Sequence, residues 1–108
     1  MDTWIDPVFI RNKALERKVR WSIHALGELA LEDITVQDVE RSLTEALIIE
    51  DYPHRHRFLP DCLVLAFDPF GQPLHCVVAV NEHQDYLLIV TVYRPGLEEW
   101  EDGWRKRK

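Results

Sequence analysis

Two runs of apolar and β-branched residues in the last third of the chain limit what it can fold into. They span residues 74–80 and 86–93, and a short polar segment, residues 81–85, separates them. Such runs are typical of strands, and the short connection favours antiparallel pairing. A third run, residues 62–67, is apolar on both faces and precedes the turn-forming residues 68–73. The second half of the chain is therefore predicted to form an antiparallel sheet.

The first half of the chain has the spacing of amphipathic helices. Asp6 precedes Pro7, and Ser22 and Thr35 each precede a new apolar pattern. Asp, Ser and Thr are residues that cap a helix N-terminus, and proline is favoured in a first turn. We therefore expect three helices, over about residues 7–19, 22–30 and 35–47.

Two further elements complete the predicted fold. Residues 48–52 are a short strand candidate. After the break at residues 95–96, Trp100 and Trp104 are spaced four apart, which indicates a short amphipathic C-terminal helix. The order predicts a single α+β domain over residues 1–108, with N-terminal helices packed on a four-stranded antiparallel sheet.

The composition is that of a globular protein, with 46% apolar and 30% charged residues. No apolar run approaches the length of a membrane span, and the first residues lack the apolar region of a signal peptide. We therefore expect a cytoplasmic protein that does not contact a membrane. Cys62 and Cys76 lie inside apolar runs and are expected to be buried free thiols.

The formal net charge of −6 argues against a general nucleic-acid binder, because such proteins usually carry net positive charge. The basic residues nevertheless cluster, in residues 11–20, 54–57 and 105–108. Each cluster could be a solvated face or part of a binding surface. An acidic chain with separate basic patches also suits a homodimer, or a partner protein that covers one face.

Four polar residues have the chemistry needed to act on a phosphodiester: His24, His75, Tyr93 and Arg94. RNA cleavage without a metal requires a base for the 2′-hydroxyl, an acid for the leaving oxygen and cations for the phosphorane charge. His24 and His75 titrate near neutrality. Tyr93 could donate a proton or stack on a base, and Arg94 could bind a phosphate through two hydrogen bonds.

Each of these residues also has a structural interpretation. His75, on an apolar strand, would be a hydrogen-bonded core or cross-strand residue, and His24 would close a helix N-terminus. Tyr93 would pack at the end of the sheet, and Arg94 would form a surface ion pair.

No metal or cofactor is expected. His54 and His56 could approach a zinc ion, but arginines alternate with them and would repel a cation. The chain contains no Cys-x-x-Cys pair, no His-Glu-x-x-His and no Gly-rich phosphate loop.

Several motifs occur in a characteristic order. They are Ser22-x-His24-Ala25, Ile-Ile-Glu-Asp-Tyr-Pro at 48–53, Pro-Leu-His-Cys-Val-Val at 73–78 and Thr-Val-Tyr-Arg-Pro at 91–95. Over about residues 8–107 the chain thereby resembles the family called domain of unknown function 4258, which is similar to the RelE-like and MqsR-like toxins. The resemblance implies a metal-independent endoribonuclease, an mRNA interferase, of a bacterial toxin–antitoxin pair. Its partners would then be RNA, bound alone or on a ribosome, and an antitoxin protein.

Under this hypothesis the site residues form two groups. The expected catalytic residues are His24, His75, Tyr93 and Arg94. The expected RNA-binding residues are Arg55, Arg57, Thr91, Arg105 and Lys106.

The chain departs from the family pattern at two positions in and just after the second helix. Members usually read His-Ala-x-x-Arg-Met-x-x-Arg-Gly, and here Glu28 and Glu32 replace the two arginines. A carboxylate repels a phosphate by about 1 kcal/mol at 4 Å in water and by more where water is excluded. The alternative hypothesis is therefore a catalytically inactive relative that acts as a protein-binding or RNA-binding regulatory module.

Two geometric expectations follow. If Val80 pairs with Tyr86, His75 lies opposite Thr91, and period two places His75, Thr91 and Tyr93 on one face of the sheet. His24 is expected on the side of the helices nearest these strands, together with Glu28 one turn later.

Overall fold

The computed structural model describes residues 5–52 and 59–108. Three helices occur in the first half of the chain: α1 (Pro7–Leu15), α2 (Ile23–Leu29) and α3 (Val36–Ser42), the last followed by a 3₁₀ turn, Leu43–Glu45. Seven strands accompany them: β1 (Val19–Trp21), β2 (Leu47–Tyr52), β3 (Asp61–Phe67), β4 (Pro73–Asn81), β5 (Tyr86–Tyr93), β6 (Trp100–Glu101) and β7 (Lys106–Arg107).

The three helices begin where their capping residues predict. The side chain of Asp6 accepts a hydrogen bond from the backbone N–H of Val8, at 2.8 Å. Ser22 caps α2 in the same way at 3.0 Å, and Thr35 caps α3 at 3.1 Å. These caps are local interactions between residues two or three positions apart, so the sequence alone is sufficient to locate them.

The first and third helices are shorter than expected. α1 ends at Leu15, because Arg17 adopts a left-handed conformation with φ 61°. The N–H of Arg17 bonds to the carbonyl of Ala14, and that of Lys18 to the carbonyl of Lys13, which is a Schellman motif. The chain then continues as β1. The third helix ends at Ser42 and tightens into the 3₁₀ turn before β2.

The sheet has five strands in the order β1-β5-β4-β3-β2, not four, and it is mixed rather than antiparallel. β1 runs parallel to β5, pairing Val19 with Leu87 and Trp21 with Ile89, whereas the other neighbours are antiparallel. Strand β1 was not predicted, because it has only three residues and its partner lies far away in sequence.

The prediction of a C-terminal helix is wrong. The residues concerned form a hairpin in which Trp100 pairs with Arg107 and Glu101 with Lys106. Its turn places Asp102, Gly103 and Trp104 at φ 53°, 65° and 67°, values that a right-handed helix does not allow. We refer to residues 100–107 as the C-terminal hairpin.

Helices α1 to α3 cover one face of the sheet. Their buried residues, among them Ile10, Ala25 and Val39, form one core with Val64 and Cys76 of the sheet. Successive strand residues point to opposite faces, so Leu63, Leu65 and His75 belong to the other face, where they too are buried. None of the helices in the described ranges has the length and apolar character that crossing a membrane requires.

Candidate functional site

The pairing of β4 with β5 differs from the predicted register. Asn81 pairs with Tyr86, so Val80 lies opposite Leu87, one position away from the expected pairing. A β-bulge farther along shifts the register by a second position and places His75 opposite Tyr93 instead of Thr91. The two shifts add up to two residues, which is the period at which strand side chains return to the same face. His75, Thr91 and Tyr93 therefore remain on one face, as expected.

His75 is fully buried and bonded at both ring nitrogens. Its Nδ1 lies 3.1 Å from the Tyr93 hydroxyl, and its Nε2 lies 2.8 Å from the backbone carbonyl oxygen of Trp104. A carbonyl can only accept, so Nε2 carries the proton and Nδ1 accepts from the Tyr93 hydroxyl. Burial lowers the pKa of His75, which favours this neutral form.

The C-terminal hairpin encloses His75. The edge of the imidazole packs on the Trp100 ring, with centroids 4.3 Å apart. Arg107 donates to Glu50 of β2 at 2.8 and 3.0 Å, and its guanidinium lies over the Trp100 ring at 4.7 Å. His75 and Glu50 therefore attach the hairpin to the sheet, and the hairpin separates His75 from solvent.

His24 and Glu28 lie at the outer edge of β5. The side chain of His24 is 70% exposed, and its Nε2 lies 3.4 Å from Oε1 of Glu28. That same oxygen accepts hydrogen bonds from the Thr91 hydroxyl and, at 2.9 Å, from the backbone N–H of Val92. Glu28 thus joins α2 to the end of β5, beyond the residues that pair with β1.

Arg94 faces two carboxylates. Its Nη2 lies 3.0 Å from Oδ2 of Asp68 and its Nε lies 3.6 Å from Oε2 of Glu32, while Nη1 is buried. Asp68 also accepts from the N–H groups of Phe70 and Gln72, each at 2.9 Å. Burial opposes ionisation of Asp68, but the Gln72 N–H and the Arg94 guanidinium outweigh it and lower the pKa of this carboxyl.

The structure thus separates the predicted catalytic residues into three clusters. His75 and Tyr93 lie beneath the C-terminal hairpin. His24 lies beside Glu28 of α2, and Arg94 lies between Glu32 and Asp68. Of the predicted RNA-binding residues, Arg105 and Lys106 are exposed on the hairpin and Thr91 bonds to Glu28. Arg55 and Arg57 lie outside the described residues. The catalytic and RNA-binding roles remain predictions.

Sequence reasoning missed three residues that define these clusters. Asp68 was interpreted only as part of a turn, although an Asp-Pro-x-Gly segment often bonds its own backbone through the aspartate. Glu50 lay unremarked in a short strand. Trp104 was assigned to a helix, although the Asp102-Gly103 pair is a turn signal.

The cysteines and the remaining histidines do not assemble a metal site in the described part of the chain, where no group of three or more His, Cys, Asp or Glu residues has a suitable arrangement. His54 and His56 lie outside that part. Cys62 and Cys76 are buried free thiols, as predicted. Burial raises the pKa of both thiols, that of Cys76 to about 12, so neither is a ready nucleophile.

Comparison with known families gives a match. The family model described as domain of unknown function (DUF4258) matches residues 21–94 of the chain. This range contains α2, α3, the four longest strands and every residue of the His24 and Arg94 clusters. Comparison with curated proteins and with solved structures gives no match.

Proposed function

The chain belongs to the DUF4258 family, and from its geometry we propose that it is a non-catalytic member that works by binding a protein partner. The observation that carries this proposal is the state of His75. Both of its ring nitrogens are bonded within the protein and the ring is fully buried. A general acid or base must come within hydrogen-bond reach of the group whose proton it transfers, and a side chain in this position does not.

The charges around the remaining candidates support the same proposal. Cleavage needs cations free to stabilise a phosphorane, but Arg94 already faces Asp68 and Glu32. His24 is accessible, yet the carboxylate of Glu28 lies beside it. A phosphate approaching His24 or Arg94 would meet the carboxylates of Glu28 and Glu32, at the positions where the family pattern has arginines.

The competing proposal is a metal-independent endoribonuclease with an antitoxin partner. The exposed His24–Glu28 pair favours it, because a neighbouring carboxylate can orient a histidine. His24 would then be an accessible histidine of that site, with His75 confined to a structural role.

An RNA-cleavage assay separates the two proposals. Purified protein is incubated with single-stranded RNA in EDTA, and the product ends are analysed for 2′,3′-cyclic phosphate. We expect the wild type to show no cleavage above that of His24→Ala. The control is His83→Ala, because His83 is exposed in the turn between β4 and β5. Cleavage by the wild type and by His83→Ala that is lost in His24→Ala would overturn the non-catalytic proposal and support the endoribonuclease.

A second experiment tests partner binding. The chain is co-expressed with the product of the neighbouring open reading frame, and the two are purified through a tag on one of them. We expect a complex of fixed stoichiometry that survives gel filtration.

A further inference from the structure

An open groove lies beside the Arg94 cluster, between the end of α2, the start of α3 and the turn that joins β3 to β4. Its volume is about 640 Å³. The residues that line it are Leu26, Leu29, Ala30, Glu32, Asp33, Ile34, Thr35, Val36, Asp38 and Phe70.

The apolar part of the groove is unusually exposed. Phe70 is 85% exposed and Leu26 is 44% exposed, although both are large apolar side chains. Leu31, next to the lining residues Ala30 and Glu32, is 87% exposed. Single exposed apolar residues are common on protein surfaces, but a contiguous group within a concave surface is typical of a binding site.

Phe70 is held in its exposed position by the turn beneath it. Its backbone N–H bonds to Oδ1 of Asp68, and the N–H of Gly71 bonds to the Asp68 carbonyl, each at 2.9 Å. Gly71 adopts φ +79°, which favours glycine. The ion pair from Arg94 fixes Asp68 in turn. A preorganised turn loses little backbone entropy when a partner covers it.

The polar part of the groove is acidic. Glu32, Asp33 and Asp38 line it, and among residues 5–52 and 59–108 no lysine, arginine or histidine does. Asp33 and Asp38 form no ion pair within residues 5–52 and 59–108. A ligand with basic groups around an apolar surface would therefore be complementary to the groove in both respects.

The secondary structure around the groove indicates the shape of its ligand. Its lining residues belong to α2, α3, the loops beside these helices and the turn between β3 and β4. In the part of the chain that the structure describes, no strand edge is therefore available there to pair with an extended peptide. A common mode that needs no strand edge places the apolar face of an amphipathic helix in a groove.

We propose that this groove binds an amphipathic helix of a partner protein, with leucine-like side chains facing Phe70 and Leu26 and with lysines or arginines facing Asp33 and Asp38. The proposal rests on the proposed function, since it specifies which surface of the module contacts the partner.

The test uses a fluorescein-labelled peptide of about 15 residues, built from Leu, Lys and Ala with leucines at helical spacing. Its binding is followed by fluorescence anisotropy at low and moderate salt. We expect saturable binding that weakens as salt rises. Phe70→Ser, and separately the double variant Asp33→Lys with Asp38→Lys, should lower the affinity about tenfold or more, as expected for residues at the centre of an interface.

Matched controls keep the test specific. Leu97→Ser removes an exposed apolar side chain outside the groove, and Glu82→Lys reverses an exposed charge outside it. Both should bind the peptide as the wild type does. A scrambled peptide, or one with Glu in place of Lys, should not bind. All substituted side chains lie at the surface, and circular dichroism of each variant checks that it is folded.

Three outcomes would overturn the groove proposal: no binding to the wild type, equal binding by the scrambled peptide, or equal affinity of the Phe70→Ser and Leu97→Ser variants. None of them bears on the RNA assay. A protein that is inert on RNA and forms a complex, yet shows one of these outcomes, retains the proposed function and binds its partner elsewhere. A protein that cleaves RNA through His24 loses the proposed function whatever the peptide does.

Discussion

Two buried or half-buried side chains connect distant parts of this chain through hydrogen bonds. His75 attaches the C-terminal hairpin to the sheet, and Glu28 attaches α2 to β5. His75 was predicted to be catalytic and Glu28 to oppose catalysis, but in both cases the bonding capacity of the group is used within the protein. Removing either group leaves polar partners without a bond, and this determines the effect of substitutions there.

His75→Ala is expected to lower the free energy of unfolding by about 2–4 kcal/mol. The substitution leaves a cavity and removes the partners of the Tyr93 hydroxyl and the Trp104 carbonyl. Urea unfolding measures the change. His83→Ala, which alters an exposed turn residue, should change the value by less than about 0.5 kcal/mol. Equal effects of the two substitutions would contradict the anchoring role of His75.

The same residue makes stability depend on pH. Burial lowers the pKa of His75 in the folded protein below its ordinary value of 6.5, so the unfolded chain binds a proton more readily. Stability therefore falls as pH decreases from about 6.5 towards the lowered pKa of the folded state. Urea unfolding at a series of pH values should show this loss in the wild type, and His75→Gln should not show it. A wild-type profile that is flat over this range would contradict the prediction.

Glu28→Arg is expected to lower the free energy of unfolding by about 1–3 kcal/mol, because the Thr91 hydroxyl and the Val92 N–H lose a common acceptor. Glu28→Gln keeps an acceptor oxygen and should cost less. Thermal unfolding of both variants checks the order. An increase in RNA cleavage by Glu28→Arg would instead support the endoribonuclease, whose family pattern has arginine at this position.

Among the elements, the C-terminal hairpin is the one that changes the interpretation of the site most. It returns the chain to the sheet, packs Trp100 against His75 with the two rings nearly perpendicular, and pairs Arg107 with Glu50. Its turn depends on backbone conformations with positive φ, of which the one at Gly103 is the least costly.

Gly103→Val should open the hairpin while leaving the core folded. No other atom lies within 4 Å of a Cβ added at Gly103, so the cost arises from the left-handed backbone at φ +65° and not from a clash. Tryptophan fluorescence should shift to longer wavelength as Trp100 becomes solvated, with little change in far-ultraviolet circular dichroism. Gly27→Val is the control, because Gly27 also has open space around it but no positive φ. A fluorescence spectrum unchanged in Gly103→Val would contradict this account.

The elements differ in how well the sequence predicts them. The reason is the separation in sequence between the residues whose contacts determine each element. The helix starts at Asp6, Ser22 and Thr35 depend on bonds to neighbouring residues, and all three were predicted. Strand β1 and the bulge between β4 and β5 depend on tertiary pairing, and both were missed.

The candidate site shows the same limit. Strand alternation predicted that His75 and Tyr93 share a face. It did not predict that His75 would be enclosed, because Trp100 and Trp104 reach it only through a turn that reverses the chain. Their spacing of four fits a helix equally well, so the pattern alone could not distinguish the two arrangements.

At the scale of the whole molecule, the charge distribution opposes nucleic-acid binding. The net charge is −6, and several cations are engaged in ion pairs, among them Lys13, Lys18, Arg94 and Arg107. Phosphate binding draws its energy from counterions released by cations, and these four cations already face carboxylates of the protein.

We therefore expect no complex with single-stranded RNA at a salt concentration of about 150 mM in a filter-binding assay. At low salt, weak retention through Arg105 and Lys106 should be lost when both are changed to serine. A complex that persists at the higher salt and survives this double substitution would indicate an RNA-binding surface elsewhere on the protein.

The parallel pairing of β1 with β5 also constrains the order in which the chain can fold during synthesis on a ribosome. Ser22, directly after β1, bonds to Val90 across 68 positions of sequence. Until the residues of β5 have emerged, β1 lacks its partner strand and α2 lacks the strand on which it packs. Contacts this distant in sequence close slowly, so the N-terminal half of the nascent chain stays exposed to chaperones and proteases until most of the domain has been translated.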